Sequence, residues 1–146
     1  MNTVFFLVAF SIIAGLIFYA GSLIFKLRTQ QRLRAKKTQQ RIDNISQSIQ
    51  TIAKALEQQQ CNLSEGCIRL FHLLEALPLK NKPDFAHKFS GLYALYAQVK
   101  DLPTHEARKA QSNKETKHQD LQREELESQL ETLILNDVSV LKTFAI

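Results

Sequence analysis

Two cysteines and a histidine are the side chains of this chain that most readily suggest chemistry. Cys61 and Cys67 have five residues between them, and His72 follows after four more. Structural zinc sites bring their ligands in closer pairs, such as two cysteines separated by two residues. This spacing favours a loop thiol at Cys61 and a small core residue at Cys67, so we predict no metal and no cofactor. A thiol-based sensor or enzyme that uses both cysteines remains the alternative.

A second candidate is the polar stretch that contains His105, Glu106 and Arg108. These side chains could bind an anion or a protein partner at the start of a helix. Capping by Thr104, with Glu106 in the first turn, explains the same residues without a function. The sequence contains no nucleotide-binding or hydrolase motif, and its four glycines cannot form a glycine-rich phosphate loop. We therefore predict a protein that is not an enzyme.

The first element that must position these groups is an apolar run from Val4 to Phe25 without a charged side chain. Its 22 residues would form a helix of about 33 Å, which is long enough to cross a bilayer. A cleaved signal peptide would need a basic N-terminal region and a shorter apolar core. A buried core helix is disfavoured by the length of the run. We predict a transmembrane anchor at residues 1–25.

A basic segment, residues 26–41, follows the anchor at once and has good helix propensity. Its seven cations are Lys26, Arg28, Arg32, Arg34, Lys36, Lys37 and Arg41. No Lys or Arg precedes the anchor, so the positive-inside rule predicts an external N-terminus and a cytoplasmic remainder. We predict that the seven cations contact anionic lipid headgroups. The rest of the chain carries 12 cations against 14 acidic residues, which argues against nucleic-acid binding.

The cytoplasmic part is predicted to be a helical domain at residues 42–137, with three to four amphipathic helices. Isoleucines and a leucine spaced three and four apart form an apolar seam at Ile42, Ile45, Ile49, Ile52 and Leu56. The seam spans about two heptads and is typical of a short coiled coil or of packing within the chain. The second helix is predicted from a cap at Ser64 to Pro78, the third from Asp84 to Asp101, and the fourth from Thr104. Residues 138–146 form a tail that either docks or frays.

Two segments carry a family resemblance, QCNLSEGCIRL from Gln60 to Leu70 and LPTHEARK from Leu102 to Lys109. Together with the anchor and the basic segment, they are similar to a gammaproteobacterial family of uncharacterised single-pass membrane proteins, the domain of unknown function 2489. The resemblance covers essentially the whole chain. It implies a bacterial inner-membrane protein, and it implies no activity and no catalytic residue.

These patterns predict an all-α, membrane-tethered adaptor that contacts the lipid bilayer and a protein partner. The anchor, the seam and an unpaired acidic face motivate this hypothesis. That face contains Glu124, Glu125, Glu127 and Glu131. Homo-oligomeric scaffolding through the seam and the small residues Ser11 and Gly15 is a further possibility, and it does not exclude the adaptor.

Overall fold

The computed structural model describes residues 2–102 and 112–146. Every regular element in these ranges is an α-helix. The helices are α1 (Asn2–Glu57), α2 (Leu63–Glu75), α3 (Phe85–Lys88), α4 (Ser90–Val99) and α5 (Asn113–Leu141). The chain divides into two compact units, Met1–Gln40 and Arg41–Ile146. The predicted all-α class is confirmed.

The first unit contains the N-terminal part of α1 and the predicted anchor. Every described side chain of the apolar run is exposed except Ser22, which is half-buried. The hydroxyls of Ser11 and Ser22 donate to the carbonyls of Val8 and Tyr19 at 2.9 and 2.8 Å, so neither is left unpaired on an apolar surface. Within the described residues, α1 is the one helix long and apolar enough to cross a membrane by length and composition, with a mean hydropathy of 2.3 over its most apolar window.

The basic segment continues α1 without a break. All of its side chains are exposed, including the seven cations. Lys, Arg and Gln lose little rotamer freedom in a helix, which explains why this polar stretch stays helical without burying any surface.

The apolar seam at the end of α1 packs into the core of its own chain. Ile49 and Ala53 are fully buried, Leu56 is nearly so, and Ile45 and Ile52 are half-buried against the same core. The seam is therefore part of the hydrophobic core of the second unit. A coiled coil is not shown.

A short turn separates α1 from α2. Gln59 adopts the left-handed region at φ 55°, which ends α1 after Glu57. The N-cap of α2 is Asn62, whose side chain accepts a hydrogen bond from the Ser64 backbone N–H at 3.0 Å. The predicted cap at Ser64 is therefore wrong. Ser64 lies inside the first turn, and its hydroxyl donates to a carboxylate of α5 instead.

The third predicted helix begins as expected but is divided in two. Asp84 is the N-cap of α3, and its carboxylate accepts from the His87 N–H at 3.1 Å. Phe89 then leaves helical geometry at φ −121° and ψ 59°, so α4 begins anew at Ser90. Phe89 is fully buried, so its side chain is a core residue at the bend.

The last helix extends beyond its predicted end at Asp137. A capping box between Ser112 and Glu115 begins α5, which continues to Leu141. Phe144 is 5% exposed, and its carbonyl accepts from Gln50 Nε2 at 2.8 Å. Residues 138–146 are thus partly helical and docked on α1. The cap predicted at Thr104 lies outside the described residues.

One core holds the second unit together, and α4 lies at its centre. Gly91 allows α4 to approach α5 closely, since a Cβ atom at this position would lie 2.8 Å from the Leu133 backbone carbonyl carbon. The fully buried side chains include Ile49, Leu70, Leu74, Phe89, Leu92, Leu95, Ile134 and Leu141.

Candidate functional site

A groove of about 350 Å³ lies between the end of α1, the turn after it and one face of α5. Its lining residues all belong to the second unit. They are Leu56, Glu57, Gln59, Cys61, Leu63, Glu124, Glu127, Ser128, Glu131 and Leu135. The groove thus brings together Cys61 and three of the four acidic residues that the sequence placed on one face.

The α5 wall of the groove follows from helix periodicity. Glu124, Ser128, Glu131 and Leu135 recur at intervals of four, three and four residues, so they share one face of α5. Ile134 and Val138 lie on the neighbouring face, which is buried in the core. The groove therefore runs along the margin between the core-facing and the solvent-facing sides of α5.

Two of the four carboxylates in the groove are already paired. Lys142 Nζ lies 2.5 Å from Glu57 Oε1. Glu127 accepts hydrogen bonds from the hydroxyl and the backbone N–H of Ser64, the latter at 3.3 Å, and forms an ion pair with Arg123 at 3.7 Å. These contacts satisfy Glu57 and Glu127 within the fold.

The other two carboxylates, Glu124 and Glu131, are exposed. Within the described ranges, no side chain forms an ion pair or a hydrogen bond with either of them. The acidic face predicted as unpaired is therefore unpaired only in part. Glu125 lies on another face of α5 and accepts from Gln129 Nε2 at 3.5 Å.

The groove also has an apolar component. The Leu56 side chain is buried, Leu63 is half-buried, and Leu135 keeps 39% of its surface exposed. Apolar side chains beside unpaired carboxylates form a surface that can bind the stem and the charge of a long cationic side chain together.

The two cysteines occupy different environments. Cys61 is half-buried at the groove, whereas Cys67 is fully buried in the core. Burial raises the pKa of the Cys67 thiol to about 12, and the carboxylates of Asp137 and Glu127 add to the increase. Cys67 is therefore a protonated thiol near neutral pH, which is a poor nucleophile and a poor metal ligand.

The metal site considered from the sequence does not assemble. No group of three or more His, Cys, Asp or Glu side chains with metal-binding geometry occurs within residues 2–102 and 112–146. His72 is exposed and packs edge-on against Tyr96, with ring centroids 5.7 Å apart. The second predicted set, His105, Glu106 and Arg108, lies outside the described residues.

Two carboxylates of α5 have a role that the sequence analysis did not find. The first turn of α4 has no cap from Phe89, and Asp137 Oδ2 accepts from the Leu92 N–H at 3.0 Å instead. Glu127 makes the equivalent contact with the Ser64 N–H in the first turn of α2. Each carboxylate stabilises the positive end of a helix dipole. The residues that form these two hydrogen bonds are 63 and 45 positions apart, so no local sequence pattern predicts either contact.

A second cavity, of about 380 Å³, lies on another side of α5. It is lined by Gln98, Leu102, Gln122, Arg123, Glu125, Leu126 and Gln129. The Arg123 guanidinium is held by ion pairs with Asp120 at 3.3 Å and Glu127 at 3.7 Å. Its charge is therefore balanced within α5, and this cavity offers less unpaired charge than the groove.

An aromatic cluster covers the α2–α4 contact. Phe71 stacks on Tyr96 with a centroid distance of 3.5 Å, and Tyr93 meets Phe71 edge-on at 5.0 Å. The Tyr93 hydroxyl donates to Glu75 at 2.7 Å, and Lys82 also binds Glu75. Both contacts lower the pKa of the Glu75 carboxyl. The cluster is therefore part of the packing between α2 and α4.

Comparisons with known proteins place the chain in a family. The family model described as "Protein of unknown function (DUF2489)" matches residues 13–141. An uncharacterised protein of Haemophilus influenzae is 36% identical over 141 residues, which cover 97% of this chain and 93% of that protein. No solved structure matches. The resemblance seen in the sequence is confirmed, and the chain belongs to the DUF2489 family of proteins of unknown function.

Proposed function

We propose that this protein is a non-catalytic, membrane-tethered helical adaptor of the bacterial inner membrane. The observation that carries the proposal is the exposed apolar run of α1, followed at once by seven cations and then by a unit with a hydrophobic core of its own. An apolar surface of this length that the described part of its own chain does not cover needs another apolar environment, and a bilayer provides it.

The orientation follows from the charge distribution. All seven cations of the basic segment flank the C-terminal end of the apolar run, and none lies before it. By the positive-inside rule, this distribution supports an N-terminus outside the membrane and the unit Arg41–Ile146 in the cytoplasm. Cations close to an anionic leaflet contribute about 1 kcal/mol each to attraction to the surface, so the basic segment also supports the tether.

The role as an adaptor is supported by the way in which the second unit uses its side chains. Its thiol at Cys67 is buried and protonated, which favours a structural role over the alternative thiol chemistry. The side chains of the seam at Ile42–Leu56 pack into the core of the second unit, so a partner would bind to other surfaces. The groove beside α5 carries two exposed carboxylates, Glu124 and Glu131, that have no partner among the described residues. Tethering raises the local concentration of the unit, so a weak contact with another membrane-associated protein is sufficient.

Proximity labelling in native membranes tests the proposal. The labelling enzyme is fused through a flexible linker after Ile146, which is exposed, and the control carries residues 1–41 with the same enzyme. We expect reproducible neighbours of the full chain that the control does not label. Identical neighbours for both proteins would contradict a partner-binding role for the second unit.

A further inference from the structure

We infer that the groove beside α5 is a docking surface for a basic amphipathic segment of another protein. The inference rests on the proposed function, because an adaptor must present a contact surface, and it specifies the chemistry of the partner.

The groove is suited to a cationic rather than an anionic or neutral segment. Four carboxylates line it, and the two cations beside it, Lys142 and Arg123, are engaged by Glu57 and Glu127. Glu124 and Glu131 have no ion-pair or hydrogen-bond partner within residues 2–102 and 112–146. A partner that brings two cations completes their charge pairing, whereas a phosphate backbone or an acidic segment would be repelled.

The spacing of the two free carboxylates defines the partner further. Glu124 and Glu131 are seven residues apart on α5, which corresponds to about 10 Å along the helix axis. A partner helix that lies along α5 meets both carboxylates with Lys or Arg at positions i and i+7. Leu135 lies one turn beyond Glu131 and is 39% exposed, so an apolar partner residue at i+11 in a parallel helix, or at i−4 in an antiparallel one, then faces it. This is the helix-in-groove type of recognition, with a cationic rim.

A metal ion is a less suitable occupant than a polypeptide. Calcium takes six to eight oxygen ligands at about 2.3–2.6 Å, and the described residues contain no cluster of three or more metal-ligating side chains. An ion would also leave the exposed apolar surface of Leu63 and Leu135 in water, whereas a peptide would bury it.

A peptide-binding measurement on the full chain tests this inference. The protein is placed in nanodiscs of zwitterionic phosphatidylcholine, and empty nanodiscs provide the background. The probe is a fluorescent 15-residue peptide of Lys and Leu with Lys at i and i+7 on one face. A Glu/Leu peptide of the same pattern is the comparison. We expect anisotropy to report saturable binding of the Lys/Leu peptide, weakened by salt, and no binding of the Glu/Leu peptide.

Matched variants locate the binding site. The double variant E124Q/E131Q removes the free carboxylates of the groove, and E65Q/E125Q removes two exposed carboxylates outside it. We expect E124Q/E131Q to weaken binding by about three- to tenfold and E65Q/E125Q by less than about twofold. Equal losses in the two variants, no binding by the unmodified protein, or binding of the Glu/Leu peptide would each overturn the inference.

Photocrosslinking in native membranes separates this inference from the adaptor proposal. A crosslinking amino acid replaces Ser128 in the groove, and replacement of the exposed Ser139 is the control. We expect a crosslink specific to Ser128 whose partner peptide contains Lys or Arg interleaved with apolar residues. A crosslink to residues 26–41 of a second copy would overturn the inference that the docked segment belongs to another protein. No crosslink at Ser128 while proximity labelling still finds neighbours would overturn the groove as the docking site. Both results leave the adaptor proposal intact.

Discussion

Asp137 provides a test of how the second unit is held together. Its carboxylate accepts from the Leu92 N–H at 3.0 Å and also binds the Gly91 N–H, so it caps α4 from the neighbouring helix. Asp137→Ala leaves these donors without their partner. We expect a loss of about 1–2 kcal/mol in the free energy of unfolding, the range for a lost cap or an unsatisfied partly buried donor. Asp137→Asn keeps an acceptor oxygen and should cost clearly less.

The loss in the free energy of unfolding can be measured by labelling the buried Cys67 thiol. Because Cys67 lies in the second unit, the labelling rate does not depend on whether the apolar run is in a membrane. The measurement uses a Cys61→Ser background and a thiol reagent that reacts more slowly than the unit recloses, so the rate reports the open population. A loss of 1–2 kcal/mol corresponds to labelling about 5- to 30-fold faster. The control is Glu131→Ala, which also replaces an acidic residue of α5 by alanine. Within the described residues, the Glu131 side chain forms no hydrogen bond or ion pair. Equal rates for Asp137→Ala and this control would refute the capping role.

The pH dependence of Asp137 has a defined sign. Burial raises the pKa of its carboxyl from the usual 3.8, and the two N–H groups offset only part of this effect. Between 3.8 and the raised value the folded state binds more protons than the unfolded state, so this group's contribution to stability falls as the pH rises. Relative to Asp137→Asn, the unmodified protein should therefore lose stability from pH 3.5 to pH 6, as followed by near-UV circular dichroism of the tyrosines. A relative gain would contradict this assignment.

Three further predictions concern packing and thiol chemistry. Gly91→Ala should destabilise the second unit by about 1–3 kcal/mol, because its Cβ would lie 2.8 Å from backbone of α5; an unchanged melting temperature would argue against this close approach. Phe144→Ala should cost about 3–5 kcal/mol, since the ring is buried beside Phe85, and equilibrium urea unfolding would measure it; a loss similar to that of the exposed Ile146→Ala would contradict docking of the C-terminus. Cys61 should react with a maleimide at least tenfold faster than Cys67 in single-cysteine variants near neutral pH, and similar rates would show that Cys67 is not protected.

Much of the helical architecture could be predicted because it depends on local periodicity. The apolar seam at Ile42–Leu56 and the start of the third helix at Asp84 are each encoded within a few residues, and the structure confirms them. The division of the third helix at Phe89 could not be predicted, because no Gly or Pro marks it and the bend places a large ring in the core.

The position of the groove could not be predicted from local sequence patterns, because it depends on tertiary packing. Glu124 and Glu131 could be assigned to one face of a helix, but their position in the same groove as Cys61 depends on how α5 packs against α1 and α2. The caps at Glu127 and Asp137 are also tertiary contacts, and both looked like ordinary surface acids in the sequence. Asn and Ser both favour the N-cap position, so residue type alone does not identify Asn62 rather than Ser64 as the cap of α2.

Protease protection in spheroplasts tests the membrane tether most directly. The full chain carries an epitope tag after Ile146. One sample of membranes is washed with alkaline carbonate, and separate samples of intact and lysed spheroplasts are treated with protease. We expect the tag to stay in the washed membrane fraction, to resist protease in intact spheroplasts and to be digested after lysis. Release by carbonate would contradict a membrane-spanning helix, and digestion of the tag in intact spheroplasts would place the second unit on the opposite side of the membrane.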